Sequence, residues 1–209
     1  TKKAPATILD LGANVDCKPD HLREFALMGH ALARSVLGQS QPRVGLLSNG
    51  EEPGKGNDLV RRAEPLLEAL PIRYVGPVEP QGALSGACDV AVCDGFVGNI
   101  MLKSVEATAA VVAQMLREEI ERLRGARVGA WLLRGALERF RVRTDHAAVG
   151  GAMLLGVEGV VVVGHGRSDA RAVVSAIRHA HHCAAEDLSA RVAQVLADAQ
   201  LESSESDAD

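Results

Sequence analysis

Short apolar runs alternate with longer stretches of helical spacing along most of this chain. Ile8-Leu9-Asp10-Leu11 reads as a strand, and Gly12-Ala13-Asn14 follows it. Pro19-Asp20 opens a helix to about Leu37, with Leu22, Ala26, Leu32, Ala33 and Val36 on one face. Val44 to Leu47 is the next strand, and its loop runs from Ser48 to Gly56. Asn57 suits the N-cap of a helix to about Leu70. Ile72 to Val75 is a strand that Gly76-Pro77 should end. Val90 to Cys93 is another, running into Asp94-Gly95-Phe96-Val97-Gly98-Asn99, with an amphipathic helix from Ile100. Val105, Ala109, Val112, Leu116, Ile120 and Leu123 give that helix one sustained apolar face, and Gly125 should end it. Gly150-Gly151 marks a close backbone approach or tight turn. Val160 to Val163 is the last strand, followed by Gly164-His165-Gly166-Arg167-Ser168-Asp169 and a single helix to about Leu201. Glu202 to Asp209 is an acidic, Ser-rich tail expected to be disordered.

This alternation predicts an α/β fold: a largely parallel sheet covered on both faces, three layers in all. Residues 1–201 read as one domain. In such sheets ligands bind outside the carboxyl ends of the strands. The loops after Leu11, Leu47, Cys93 and Val163 all leave such ends, so adjacent strands would bring the four to one crevice. A Gly/Asn loop at a helix start offers backbone N–H groups to an anion.

Composition narrows the partners. The chain of 209 residues is 47% hydrophobic but only 2% aromatic, so its core is Ala, Val and Leu. A net charge of −4 gives no global field for nucleic acid. No uninterrupted apolar stretch reaches the roughly 18–20 residues of a membrane span, and no signal peptide opens the chain. The four cysteines form no zinc-type pairs, and Cys88 and Cys93 read as reduced and packed, which fits a reducing cytosol. A start at Thr1, without Met, raises the expectation of a fragment or a cleaved product.

The individual motifs are weak alone. Gly50-Glu51-Glu52-Pro53-Gly54-Lys55-Gly56 is one residue short of a nucleotide P-loop, and Gly56 stands where a hydroxyl is needed. It reads as a phosphate-contacting loop with Lys55 as a point charge, or as a plain surface loop. The Gly164 loop lacks the third glycine of a dinucleotide fingerprint, and a tight turn capped by Ser168 or Asp169 accounts for it equally well. His165 titrates in the neutral range if it lies at the crevice. His179, His182 and Cys183 share a helix face, but no carboxylate or second cluster completes a metal set, so a solvated face is expected and no metal. Between Arg122 and Arg143 lie seven arginines, one glutamate and the only tryptophan. There Leu132, Leu133, Ala136, Leu137 and Phe140 face one way, Arg127, Arg134 and Arg141 the other, and Trp131 sits beside them. This is a basic amphipathic helix that would lie on an anionic membrane, dock a partner, or pack on the core or a dimer mate.

At these motifs the chain resembles the bacterial phosphate acyltransferase family of phospholipid synthesis (the PlsX family). The stretches are LDLGANVDCKPDHL, RVGLLSNGEEPGKGND, DVAVCDGFVGNIMLK, VGGAMLLG and GHGRSDARAVVSAIR, in order from Ile8 to about Arg178. The resemblance implies a fold like isocitrate and isopropylmalate dehydrogenases, with the 122–143 segment as a projecting helical hairpin. It implies a cytoplasmic homodimer in peripheral contact with the membrane, without a cofactor. That dimer transfers a fatty acyl group from acyl-carrier protein to inorganic phosphate, for a downstream membrane acyltransferase. Family members also begin with a further N-terminal segment bearing an Ala-Val-Asp-Ala-Met-Gly-Gly-Asp-type phosphate motif, which this sequence lacks.

Under that reading the protein's task is to hold phosphate near a thioester carbonyl and stabilise the oxyanion. Lys55, Asn57, Asn99, Lys103 and His165 are the candidate catalytic residues, His165 protonating the leaving thiolate or bonding phosphate. Asn14, Gly54, Gly56, Asp94, Gly95, Gly98 and Ser168 are the candidate binding residues. Asp10 and Asp94 also suit plain caps of the turns that follow them. Arg127, Trp131, Leu132, Leu133, Arg134, Leu137 and Phe140 are the docking candidates for membrane or carrier protein, with Arg122 and Arg124 added for the carrier. A truncated scaffold that dimerises and docks at membranes, and a phosphotransacetylase using acyl-CoA, are the alternatives. A nicotinamide dehydrogenase fits less well, because no complete dinucleotide fingerprint is present.

Overall fold

The computed structural model describes residues 6–122, 135, 150–166 and 168–206. Four strands, β1 (Thr7–Leu9), β2 (Arg43–Leu47), β3 (Arg73–Val78) and β4 (Val90–Val92), form one sheet in the order β1-β4-β2-β3. Every neighbouring pair is parallel, with Thr7 and Val44 both opposite Val90, and Arg43 opposite Arg73. Parallel neighbours require crossover connections, and the helices α1 (Pro19–Ser35), α2 (Asp58–Glu68) and α3 (Pro80–Ser85) supply them.

Both faces of the sheet are buried, as the near-continuous apolar strands demand. Val44, Leu46, Val90 and Val92 face a core built with α1, α2 and a later helix. The alternate positions Leu47, Ala91 and Cys93 face a second core with Val78, Ala83, Cys88 and Met101. Helices therefore cover both sides of the sheet, the α/β/α arrangement expected. Gly29 lets α1 approach β4: a Cβ there would stand 2.5 Å from Val90 Cγ1. Lys18 donates its N–H to His21 Nδ1 at the head of α1, and Pro19 fills the first helical position.

Three elements differ from the sequence expectation. β3 does not stop at Gly76-Pro77 but runs through to Val78. It lies at the sheet edge, where a missing N–H is tolerated, and its register with β2 shifts between Val44 and Leu46. The helix α4 (Gly95–Arg122) begins at Gly95 rather than Ile100, so most of the presumed loop is helical. The single C-terminal helix is two, α5 (Ala170–Ala185) and α6 (Leu188–Ser206). Asp187 separates them at φ 51°, a left-handed conformation that no helix continues through.

The chain divides into two compact units, Thr1–Met101 with Met153–Val161 and Ala180–Asp209, and Leu102–Ala152 with Val162–His179. In the first, α6 packs on α1 through Leu188, Val192 and Ala199, and Arg23 Nη2 donates to the Ala199 carbonyl at 2.8 Å. Cys183 is buried there too, which corrects the solvated reading for that residue, while His182 beside it is exposed. In the second, Gly150 and Gly151 do mark close approaches. A Cβ on Gly150 would meet the backbone at Ala176, and one on Gly151 would stand 2.6 Å from the Val163 carbonyl oxygen. Among the described residues, β5 (Ala152–Leu154) and β6 (Val161–Val163) form a two-stranded sheet of their own, so the Val160–Val163 run lies outside the four-stranded parallel sheet.

Along α4, Val105, Val112 and Leu116 are exposed, as are Val111 and Met115. By length and composition alone Gly95–Ile120 would cross a membrane, which no single uninterrupted apolar run in the sequence suggests. One such helix is weak support for a membrane span.

Candidate functional site

The loops after β1, β4 and β2 leave the same edge of the sheet, because these three strands are parallel and adjacent. Three of the four expected loops are thus neighbours in the first unit. The loop after β6 belongs to a different sheet.

Asp10 organises the β1 loop. Its buried carboxylate accepts the N–H groups of Gly12, Ala13 and Asn14 at 2.9, 3.0 and 2.6 Å, and the Asn14 side-chain amide at 3.3 Å. Asn14, a candidate phosphate ligand, therefore has both its backbone and side-chain donors on Asp10. The nest that the sequence suggested for an external anion holds the protein's own carboxylate.

The start of α4 is closed in a similar way. Asp94 is buried and caps the helix, its Oδ1 accepting the Val97 N–H at 2.8 Å while its carbonyl accepts that of Gly98. The Gly95 N–H donates to the Asn14 carbonyl at 2.8 Å. Gly95 and Gly98 serve packing here. A Cβ on Gly95 would stand 2.8 Å from the Asn14 carbonyl oxygen, and one on Gly98 would collide with the Asp10 carbonyl. Asn99 lies against the β1 loop: a Cβ on Gly12 would meet its Nδ2 at 3.1 Å. The glycines bring α4 and the β1 loop together, and the first N–H groups of α4 are largely taken.

The loop between β2 and α2 is built differently. Asn49 Oδ1 accepts the Gly56 N–H at 2.9 Å, and the Glu52 carbonyl accepts that of Lys55 at 3.2 Å. Gly54 and Gly56 have φ of 86° and 84°, which only glycine adopts readily. Asn57 is the N-cap the sequence indicated, its Oδ1 accepting the Val60 N–H at 2.9 Å. Lys55 is exposed, and its stem runs over Gly50, where a Cβ would come within 2.9 Å of Lys55 Cγ. Arg61 Nη1 donates to the Gly56 carbonyl at 2.7 Å. Sequence reasoning passed over Asn49 and Arg61, the first bonding across its own loop and the second reaching Gly56 from α2.

Lys103, His165 and Ser168 belong to the second unit. Lys103 is exposed on α4. His165 follows β6, its carbonyl accepting the Ser168 N–H at 2.9 Å. Asp169, not Ser168, caps α5, through the Ala172 N–H at 2.8 Å. Arg127, Trp131, Leu132, Leu133, Arg134, Leu137 and Phe140 lie outside the described residues.

No cluster of three His, Cys, Asp or Glu suited to a metal ion occurs among the described residues. Burial pushes the Cys93 thiol up to about 12 and the Cys88 thiol to about 11, with Asp94 and Asp89 adding to it. Neither is a nucleophile at neutral pH. Cys17, half-buried with its thiol donating to the Asn14 carbonyl at 3.2 Å, is also raised, mainly by desolvation.

An α/β unit with polar loops gathered at the carboxyl edge of a parallel sheet defines the broad class. A family model described as fatty acid synthesis protein matches residues 1–191, and the chain belongs to that family. A protein named phosphate acyltransferase from Acidobacterium capsulatum is 49% identical over 178 residues, 85% of this chain and 53% of that protein. Phosphate acyltransferases from Geotalea uraniireducens and Aquifex aeolicus are 46% and 48% identical, over 94% and 84% of this chain. The chain spans about half the length of these relatives, 57% and 52% of the last two.

Proposed function

We propose that this chain carries phosphate acyltransferase chemistry, moving a fatty acyl group from the thioester of acyl-carrier protein to inorganic phosphate. The observation that carries the reading is the match to relatives of that name, 46–49% identical over 84–94% of the chain. A phosphate oxygen attacks the thioester carbonyl, the C–S bond breaks, and the thiolate leaves to be protonated. The products are an acyl phosphate and the carrier thiol. Near neutral pH phosphate is already largely dianionic and the thiolate leaves readily, so the protein's work is positioning and oxyanion stabilisation. Lys55 and the turn from Gly54 to Asn57 hold charge near the acceptor. Asn99, in the same unit, assists.

The working form in this proposal is a cytoplasmic homodimer in peripheral contact with the membrane, passing acyl phosphate to a membrane acyltransferase. The basic stretch from Arg122 to Arg143 docks the acidic carrier or the anionic membrane. Reversing the charges of Arg122, Arg124 and Arg127 separates the two. Salt-sensitive loss of carrier affinity assigns docking, and lost liposome binding with carrier affinity intact assigns the membrane.

The deciding assay expresses the protein from its whole reading frame, offers acyl-carrier-protein thioester and phosphate, and traps product with hydroxylamine. Hydroxamate is expected; its absence would sink the acyltransferase reading. A thioester of coenzyme A used in preference would favour a phosphotransacetylase-like enzyme.

A further inference from the structure

Two residues of α4 meet one residue of the β1 loop. Gly95 and Asn99 are four apart, so they share a face at the start of α4. A Cβ on Gly95 would stand 2.9 Å from both the Cα and the N of Gly12. A Cβ on Gly12 would in turn stand 3.1 Å from Asn99 Nδ2. Gly12 has φ 129°, a backbone conformation that residues with a side chain rarely adopt. Its bare Cα therefore rests against both α4 residues.

Asp10 holds Gly12 there. Its carboxylate is 5% exposed and accepts the N–H groups of Gly12, Ala13 and Asn14 and the Asn14 amide. A buried carboxylate needs donors on its oxygens, and every donor found here comes from the loop that Asp10 begins. The Asp10 N–H is bonded to the Cys93 carbonyl at 2.9 Å, which ties the loop to the end of β4. Asn99 is the member of this contact whose side chain is still available. It is half-buried, and its amide makes no hydrogen bond among the described residues. Packing sets its position instead, and Gly12 is a surface it packs on.

We propose that Asp10 and Gly12 are positioning residues for Asn99. Asp10 fixes the loop, and Gly12 seats the Asn99 amide where it donates to the oxyanion formed from the thioester carbonyl. The proposal rests on the acyltransferase reading, in which Asn99 assists the transfer; the contact itself does not. A donor stabilises an oxyanion only when it is already aimed at the place where charge develops. A misplacement of about 1 Å can cost roughly 100-fold in rate.

Hydroxamate kinetics in a double-mutant cycle test this, with the protein expressed from its whole reading frame. Asn99→Ala should lower kcat about 100-fold, the usual loss for one oxyanion donor. Gly12→Ala sets a methyl against the Asn99 amide, which must give by a few tenths of an ångström. It should lower kcat at least about tenfold with the phosphate KM held, as for an interaction made in the transition state. In the Asn99→Ala background, Gly12→Ala should lower kcat no further. Asp10→Asn turns one acceptor oxygen into a donor and should follow the same pattern, including where Gly12→Ala fails to fold. A purely structural role would lower the melting temperature in both backgrounds and leave the kcat of the folded enzyme alone. Losses that multiply across the two backgrounds overturn the proposal and leave the acyltransferase reading intact. So does a normal kcat in Asn99→Ala or in both loop variants. The side-chain amide signals of Asn99 in a nitrogen-15 NMR spectrum, assigned by their loss in Asn99→Ala, separate the reverse case. A protein that makes no hydroxamate sinks the acyltransferase reading. Amide signals that shift in Gly12→Ala and Asp10→Asn then still support the positioning, and signals that stay in place overturn it as well.

Discussion

Gly98 shows how one residue holds two loops in place. Its missing side chain lets α4 rest on the Asp10 carbonyl, beside Cys93 Sγ at 2.9 Å from where a Cβ would be. Gly98→Ala should destabilise the fold by about 1–3 kcal/mol, the usual cost of overpacking, read from denaturant midpoints. The backbone, not a flexible side chain, is what the methyl would strike, so the neighbour has little room to give. The cysteines give a second residue-scale outcome. Under native conditions iodoacetamide should alkylate Cys17 slowly and spare Cys88, Cys93 and Cys183, which are fully enclosed. Mass mapping of the labelled peptides checks this. Rapid labelling of Cys93 in the native state would contradict its burial.

At the scale of elements, the caps are the testable parts. Asn57→Ala removes the side-chain bond that caps α2 and should cost about 1 kcal/mol in chemical denaturation. Asn57→Asp should keep most of it, since either side chain accepts the Val60 N–H. Arg43 and Asp89 tie β2 to the entry of β4, with Nη2 to Oδ1 at 2.8 Å and Nε to Oδ2 at 3.0 Å. The Arg43 guanidinium holds the Asp89 carboxyl below its ordinary value. A depressed carboxyl stabilises the fold above its unfolded pKa and loses that contribution as pH falls through the folded one. Melting measured below about pH 4 should therefore fall less steeply in Asp89→Asn than in the unmodified chain.

Across the whole molecule, the buried thiols set the opposite limit. A thiol raised by burial contributes stability that is complete below its unfolded pKa and lost as pH climbs toward the folded value. With Cys88 near 11 and Cys93 near 12, stability should decline through that alkaline range. Cys93→Ala should flatten the decline in a pH series of denaturation curves. At the same scale, much was readable in advance. Strand and helix alternation predicted the parallel sheet, because a strand buried on both faces needs an apolar run and a covering helix on each side. Asn57 was legible as a cap because capping is local. The fate of Val160–Val163 was not, since an apolar run carries no record of which strand it pairs with. The early start of α4 was hidden because Gly95 and Gly98 read as loop residues, while their actual task is close packing.

The order of apolar runs, the turn residues and the family motifs determined by themselves that this is an α/β protein with Gly- and Asn-rich loops at its strand ends. Those features are local and survive in a one-dimensional pattern. Only the tertiary structure decided which groups of each loop bond to one another. Asp10 fills its own nest, Asp94 closes its own helix, and Asn57 caps α2 through the Val60 N–H. Hydrogen-bond satisfaction depends on where each donor and acceptor lies in space, and residues far apart in the chain, such as Asn14 and Gly95, compete for the same groups.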